Sequence, residues 1–225
     1  MDSIRKIWLI VQKDLISELR SKEIFSSMFI FCIVVIVIFN FSFEIGRAKI
    51  EEIAPGILWV AFIFAGVLGL NRSFILEKEK DCLQGLMLCP FDRGLIYLGK
   101  VVGNLLFMFL VILITLPIFC VFFNLSIFSY LPALILVILL GALGFISVGT
   151  ILSAMSVNTK MREVLLPILL FPVVVPVLIA CVKSTGKIFA GKSVSEISGW
   201  LKLMLAFDII YLIVSYLTLE YVLEE

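Results

Sequence analysis

The chain has 225 residues, of which 62% are hydrophobic and only 16% charged, and its mean hydropathy is +1.21. A soluble domain carries about 45–50% apolar residues, so no soluble core could hide this much apolar surface and lipid must solvate most of it. The net charge of +1 gives no basis for nucleic-acid binding, and the absence of histidine removes the commonest metal ligand, general base and haem ligand together.

The first 22 residues predict an amphipathic helix. In "DSIRKIWLIVQKDLISELRSKE", Ile4, Ile7, Trp8, Val11, Leu15 and Leu19 fall on one stripe, and Lys6, Lys13 and Arg20 recur every seven residues on the other side. Such a helix lies flat in the cytoplasmic interface with its basic groups near anionic headgroups. Glu18 interrupts the stripe. The helix serves either as an anchor or as a lever that passes force from a cytoplasmic partner to the first span.

Six apolar runs follow, each long enough for a hydrocarbon core that takes about 20 helical residues. They are expected at 24–43, 53–73, 99–123, 132–156, 164–182 and 203–222, within a single membrane domain covering 1–225. The fold class is therefore all-α and polytopic. With the N-terminus inside, the inner segments hold 12 of the 18 Lys and Arg (18 less the outer Arg47, Lys49, Lys183, Lys187, Lys192 and Lys202). That bias favours cytoplasmic N- and C-termini.

The second run opens with "IAPGILWV". Pro55 is expected at the first helical position, where its missing N–H costs little. Gly56 and Trp59 follow, and Trp59, about a turn inside the span, faces a cavity or packs. The loop at 74–98 is the largest stretch outside the membrane. Glu77 to Asp81 are solvated, Leu83, Leu86 and Met87 make a short apolar face, Pro90 ends it, and Asp92 caps the next helix. A short helix held across the membrane surface in this way suits a cleft on another protein; the alternative is an ordinary surface loop. In the fifth run, Pro167, Pro172 and Pro176 each remove a backbone hydrogen bond, which marks a moving helix or a plain kink.

The stretch "GKIFAGKS" (Gly186 to Ser193) fits the phosphate-loop pattern G-x-x-x-x-G-K-[ST]. A working phosphate loop needs a strand before it, a helix after it and a parallel sheet around it, and a loop at 183–202 between two spans leaves no room for one. It is expected to be a flexible loop on the outer face. The five cysteines, Cys32, Cys82, Cys89, Cys120 and Cys181, form no C-x-x-C pair and read as small hydrophobes rather than metal or disulfide partners. Within the spans only Asp208 is an ionisable residue clear of the ends, near the start of its run, while Lys100 and Glu220 are placed to snorkel to an interface. No nucleophile–base pair or carboxylate pair can be assembled. The chain reads as neither a membrane enzyme nor an ion-driven carrier, and another protein must supply energy for any movement of a substrate.

The block "IAPGILWVAFIFAGVLGLNRSFILEKEKDCLQGLMLCPFDRGLIYLGKVV" resembles the centre of the CcmB family, the permease subunit of the ABC-type haem exporter complex of cytochrome c maturation. I-A-P-G-I-x-W-V at the second span, the acidic stretch leading to "LQGLMLCP", and Lys100 opening the third span carry the likeness. "TKMREVLLPILLFPVVVPVLIA" and the N-terminal "VQKDLISELRSKE" are similar to further parts of the family pattern. The resemblance covers residues 5 to about 182, and nothing is carried over beyond that. The family has Gly then Ser or Thr before the Leu of the acidic block, where this chain has Asp81 and Cys82.

The resemblance implies a non-catalytic, multi-pass subunit of the bacterial inner membrane that pairs with a second copy of itself. ATP-binding cassette subunits would dock on the N-terminal helix and on the segment Glu77 to Pro90, so Glu77, Asp81, Leu83, Leu86, Met87 and Pro90 are the implied coupling residues. Pro55, Gly56, Trp59, Pro167, Pro172 and Pro176 are the gating or packing residues. ATP would bind the partner, haem would be cargo rather than a bound cofactor, and further cytochrome c maturation membrane proteins would join the complex. Alternatives of the same mechanical class are exporters of lipid, glycan or drug; one of a different class is a non-transporting scaffold.

Overall fold

The computed structural model describes residues 2–42, 47–79, 92–125, 130–156, 159 and 161–222. Every element among the described residues is helical, because backbone N–H and C=O groups in lipid must be paired within their own segment. The helices are α1 (Asp2–Ser21), α2 (Glu23–Ser42), α3 (Arg47–Glu79), α4 (Arg93–Phe123), α5 (Leu131–Ser156), α6 (Arg162–Phe189) and α7 (Val194–Val222). Six of them, α2 to α7, are long and apolar enough to cross a membrane. The protein is therefore a multi-pass, all-α membrane protein with an additional N-terminal helix.

The centre of the bundle is the contact of α3 with α5, which interlock through small residues. Gly66 of α3 receives the ring of Phe145, and Gly149 of α5 receives the side chain of Leu70. Glycine at such points lets two helices approach closely where there is no hydrophobic gain from leaving lipid. One turn on, the Ser153 hydroxyl donates to the Leu70 carbonyl at 2.8 Å. Around this pair, α6 packs on α3 and α5, α4 packs on α2, α3 and α5, and α7 lies against α4, α5 and α6. The Tyr97 hydroxyl donates to the Ser147 carbonyl at 3.0 Å and joins α4 to α5.

Several helices run past the apolar segments that announce them. α4 begins at Arg93 rather than 99, capped by Asp92, whose carboxylate accepts from the Gly94 N–H at 3.0 Å as the sequence leads one to expect. The largest difference is at 183–202, expected as a loop. There α6 continues to Phe189 and α7 starts at Val194, which leaves only Ala190 to Ser193 between them. "GKIFAGKS" is a helix terminus. Gly191 sits in the left-handed region at φ 70°, its N–H donates to Ile188 O at 3.0 Å, and the Lys192 N–H donates to Lys187 O at 3.0 Å. These are the two bonds of a Schellman motif, which explains a glycine at this position without any phosphate.

Candidate functional site

α1 is fastened to the bundle by charge as well as by packing. Ile10 and Val11 are fully buried, and Ile10 lies against Gly99 of α4. One turn along, the Lys100 ammonium donates to the Asp14 carboxylate at 2.9 Å. Lys100 is 1% exposed, so it does not snorkel to an interface but closes a buried ion pair. Glu18, the break in the apolar stripe, is also buried, and its carboxylate accepts from the Phe25 N–H of α2 at 2.8 Å. It satisfies one of the open donors at the start of α2. Between the two helices stands only Lys22, at φ 56°. The Arg72 guanidinium pairs with Glu23 and ties the far part of α3 to the same corner. Ile4, Trp8 and Leu19 of the apolar stripe stay exposed and free to meet lipid, while Ile7 and Leu15 are half-buried.

Of the residues implied in coupling, Glu77 lies in the last turns of α3, while Asp81, Leu83, Leu86, Met87 and Pro90 fall outside the described residues. The segment is framed by α3, which ends at Glu79, and by the Asp92 cap of α4. The helix that carries this cap is also the one that holds α1.

The residues considered for gating divide into two groups. Pro55 is not at a helix start. α3 begins at Arg47, about two turns earlier, because the polar "RAKIEE" continues the helix beyond the apolar run. The missing N–H of Pro55 therefore frees the Glu51 carbonyl inside the helix. Gly56 faces open space. Trp59 packs: it is 1% exposed, lies over Gly141 of α5 beside Cys181 of α6, and meets Phe62 edge-on at 6.2 Å. Its indole N–H donates to the Thr185 hydroxyl at 3.0 Å, across from α3 to α6. A buried indole needs such an acceptor, but nothing in the sequence connects residues so far apart.

The three prolines of α6 lie within one continuous helix, and they free the carbonyls of Glu163, Ile168 and Pro172. Pro172 and Pro176 are on the exposed side, opposite the buried row Leu166, Leu170, Val174 and Val177.

Asp208 differs most from its expected place. With α7 extended to Val194, it stands midway along the helix, about 21 Å from either end at about 1.5 Å per residue. It is 1% exposed and neither carboxyl oxygen has a hydrogen-bond partner. Its nearest neighbours include Gly144 of α5. Among the described residues no group of three or more His, Cys, Asp or Glu converges as a metal site requires.

Comparison with known proteins agrees with this architecture. The family model described as "CcmB protein" matches residues 5–224. The match therefore continues through α6 and α7, past residue 182, where the resemblance read from motifs stops. The chain is 29% identical over 150 residues to heme exporter protein B of Pseudomonas aeruginosa, covering 67% of each chain. It is 30% identical over 171 residues to heme exporter protein B of Haemophilus influenzae, covering 76% of each. The protein of that name from Rhodobacter capsulatus is 29% identical over 170 residues, covering 76% of this chain and 78% of its own. With its whole helical bundle inside one family match, this chain belongs to the CcmB family.

Proposed function

We propose that the chain is the membrane-spanning permease subunit of an ATP-driven transporter complex that serves haem delivery in c-type cytochrome maturation. The observation that carries this reading is family membership over residues 5–224, supported by relatives named heme exporter protein B. ATP is bound and hydrolysed on separate cassette subunits, and this chain is a transporter subunit rather than an enzyme. It works as a pair of copies in the bacterial inner membrane, alongside other cytochrome c maturation proteins. Both termini face the cytoplasm, in keeping with the distribution of Lys and Arg. Haem is the cargo. With no histidine in the chain, its axial ligands come from a partner subunit.

Force enters through α1 and through the segment from Glu77 to Pro90, where Asp81, Leu83, Leu86 and Met87 meet the cassette subunit. The buried Asp14–Lys100 pair supports a mechanical role for α1, since it joins α1 to the helix that leaves that segment. Pro55 and Gly56, with Pro167, Pro172 and Pro176, are the points at which α3 and α6 yield, while Trp59 packs α3 against α5 and α6.

The test is purification from the native membrane. The cassette subunit is expected to accompany the chain and to hydrolyse ATP, and Leu83→Asp should remove both its binding and the partner-dependent hydrolysis. Unchanged assembly and hydrolysis in that variant would refute the coupling segment. A purified complex without any ATP-binding subunit would refute the function.

A further inference from the structure

The corner where α1, α2 and α4 meet holds a groove of about 620 Å³ that has no role in the reading above. Ligand sites fall at about 300–1,000 Å³. The walls follow from helical spacing: Leu15 and Leu19 share a face of α1, and Leu106, Leu110 and Leu113 share a face of α4. Phe25 of α2, stacked on Phe29 at 5.9 Å, completes the lining. The three α4 leucines are exposed, so the groove opens sideways to lipid. Two charged residues line it. Glu18 is buried, and Lys22 is exposed. Lys22 stands immediately before Glu23, where the first candidate span begins, so an apolar groove within the spans carries a cation at the level of the headgroups.

The three carboxylates that α1 and α2 bring to this corner are all committed within the protein. Asp14 holds Lys100 at 2.9 Å and Lys13 at 3.2 Å. Glu18 accepts from the Phe25 N–H at 2.8 Å and from the Ser21 hydroxyl at 3.5 Å. Glu23 pairs with Arg72. Arg20 and Lys22, by contrast, are exposed, and among the described residues neither forms an ion pair. Lys22 is also fixed in place. Its N–H donates to Glu18 O at 2.7 Å and its carbonyl accepts from the Ser26 N–H at 3.0 Å, so its side chain starts from a set point beside the groove. The corner therefore offers an apolar trough with uncompensated positive charge at its mouth.

We propose that this groove binds one anionic glycerophospholipid. An acyl chain lies between α1 and α4 along Leu15, Leu106 and Leu110, and the negative headgroup meets Lys22, with Arg20 two residues away. Both halves of the site are needed to name the ligand. A small soluble anion would leave the apolar walls uncovered, and a lipid without net charge would leave the cations unmatched. A bound lipid of this kind would brace the corner at which α1 passes into α2. The inference needs only the membrane-spanning architecture, so it and the haem-pathway reading can fail independently.

The full chain, purified in detergent, is titrated with phosphatidylglycerol or with phosphatidylcholine of the same acyl chains, and bound lipid is counted by native mass spectrometry. Phosphatidylglycerol is expected to bind about fivefold more tightly, the worth of one cation beside an anionic lipid surface. Lys22→Asn removes the charge while suiting the left-handed backbone and should abolish the preference; Lys22→Arg should keep it. Leu110→Trp, which fills the groove from its exposed wall, should weaken both lipids. Glycerophosphate, which has no acyl chains, should displace neither. Equal affinity for the two lipids, or a preference unchanged in Lys22→Asn, overturns the proposal, and so does displacement by glycerophosphate. If Leu110→Trp instead breaks a dimer and leaves lipid binding as in the wild type, the groove belongs to a second copy of the chain and the proposal fails.

Discussion

Lys100 and Asp14 show how much a single buried contact decides. Removing Lys100 leaves the part-buried Asp14 with Lys13, at 3.2 Å, as its remaining partner, whereas replacing both members of the Asp14–Lys100 pair by apolar side chains of similar volume removes the desolvation cost as well. Lys100→Met is therefore expected to destabilise the chain by about 1–2 kcal/mol, read as a lowered thermal midpoint in detergent. The double replacement Asp14→Leu with Lys100→Met should recover most of that loss. The neighbouring Glu18→Ala should cost about 1 kcal/mol through the lost cap at Phe25, with exchange rising first at the start of α2. Neither contact is legible in sequence. Lys100 is visible only as a cation at the edge of an apolar run and Glu18 only as a fault in a stripe, because the partner of each lies across a corner that periodicity does not describe. Asp92 is the contrary case: its partner is two residues away, within the reach of local rules.

Among elements, the interlocked pair α3 and α5 sets the expected pattern of tolerance. Gly149→Leu forces a side chain into the space of Leu70 and should cost about 1–3 kcal/mol by overpacking. Gly56→Ala meets nothing and should raise stability by about 0.5–1 kcal/mol, since glycine inside a helix carries an entropic cost. Denaturant or thermal melts of the two variants, compared side by side, check both signs. The existence of six spans was legible because about 20 consecutive apolar residues have few other solutions. Their ends were not, because hydropathy reports where lipid stops and not where the helix does. "RAKIEE" and "VSEISGWLK" are polar enough to look like loops, yet they satisfy helical hydrogen bonding and continue α3 and α7. The same error moved Asp208 from the middle of its helix to the edge of an apolar run, and it hid the most unusual residue of the bundle.

For the whole molecule, the balance of Lys and Arg argues for both termini in the cytoplasm. In a cysteine-free background, Gln84→Cys should react with an impermeant maleimide in inside-out vesicles only. Ser193→Cys, in the short link between α6 and α7, should react in right-side-out vesicles only. The reverse pattern would place the proposed coupling segment away from any cytoplasmic ATPase. Family membership was legible from motifs in the N-terminal four-fifths of the chain, where the I-A-P-G block and the acidic stretch stand close together. It was not legible in α6 beyond Val182 or in α7, where no comparable motif stands.

The junction at Lys22 has a mechanical corollary. A single residue in a left-handed conformation separates α1 from α2, and the Glu18 carboxylate of one helix accepts from the Phe25 amide in the first turn of the other. Such a junction has no slack. A displacement of α1 is handed directly to α2 and, through the Asp14–Lys100 tether, to α4.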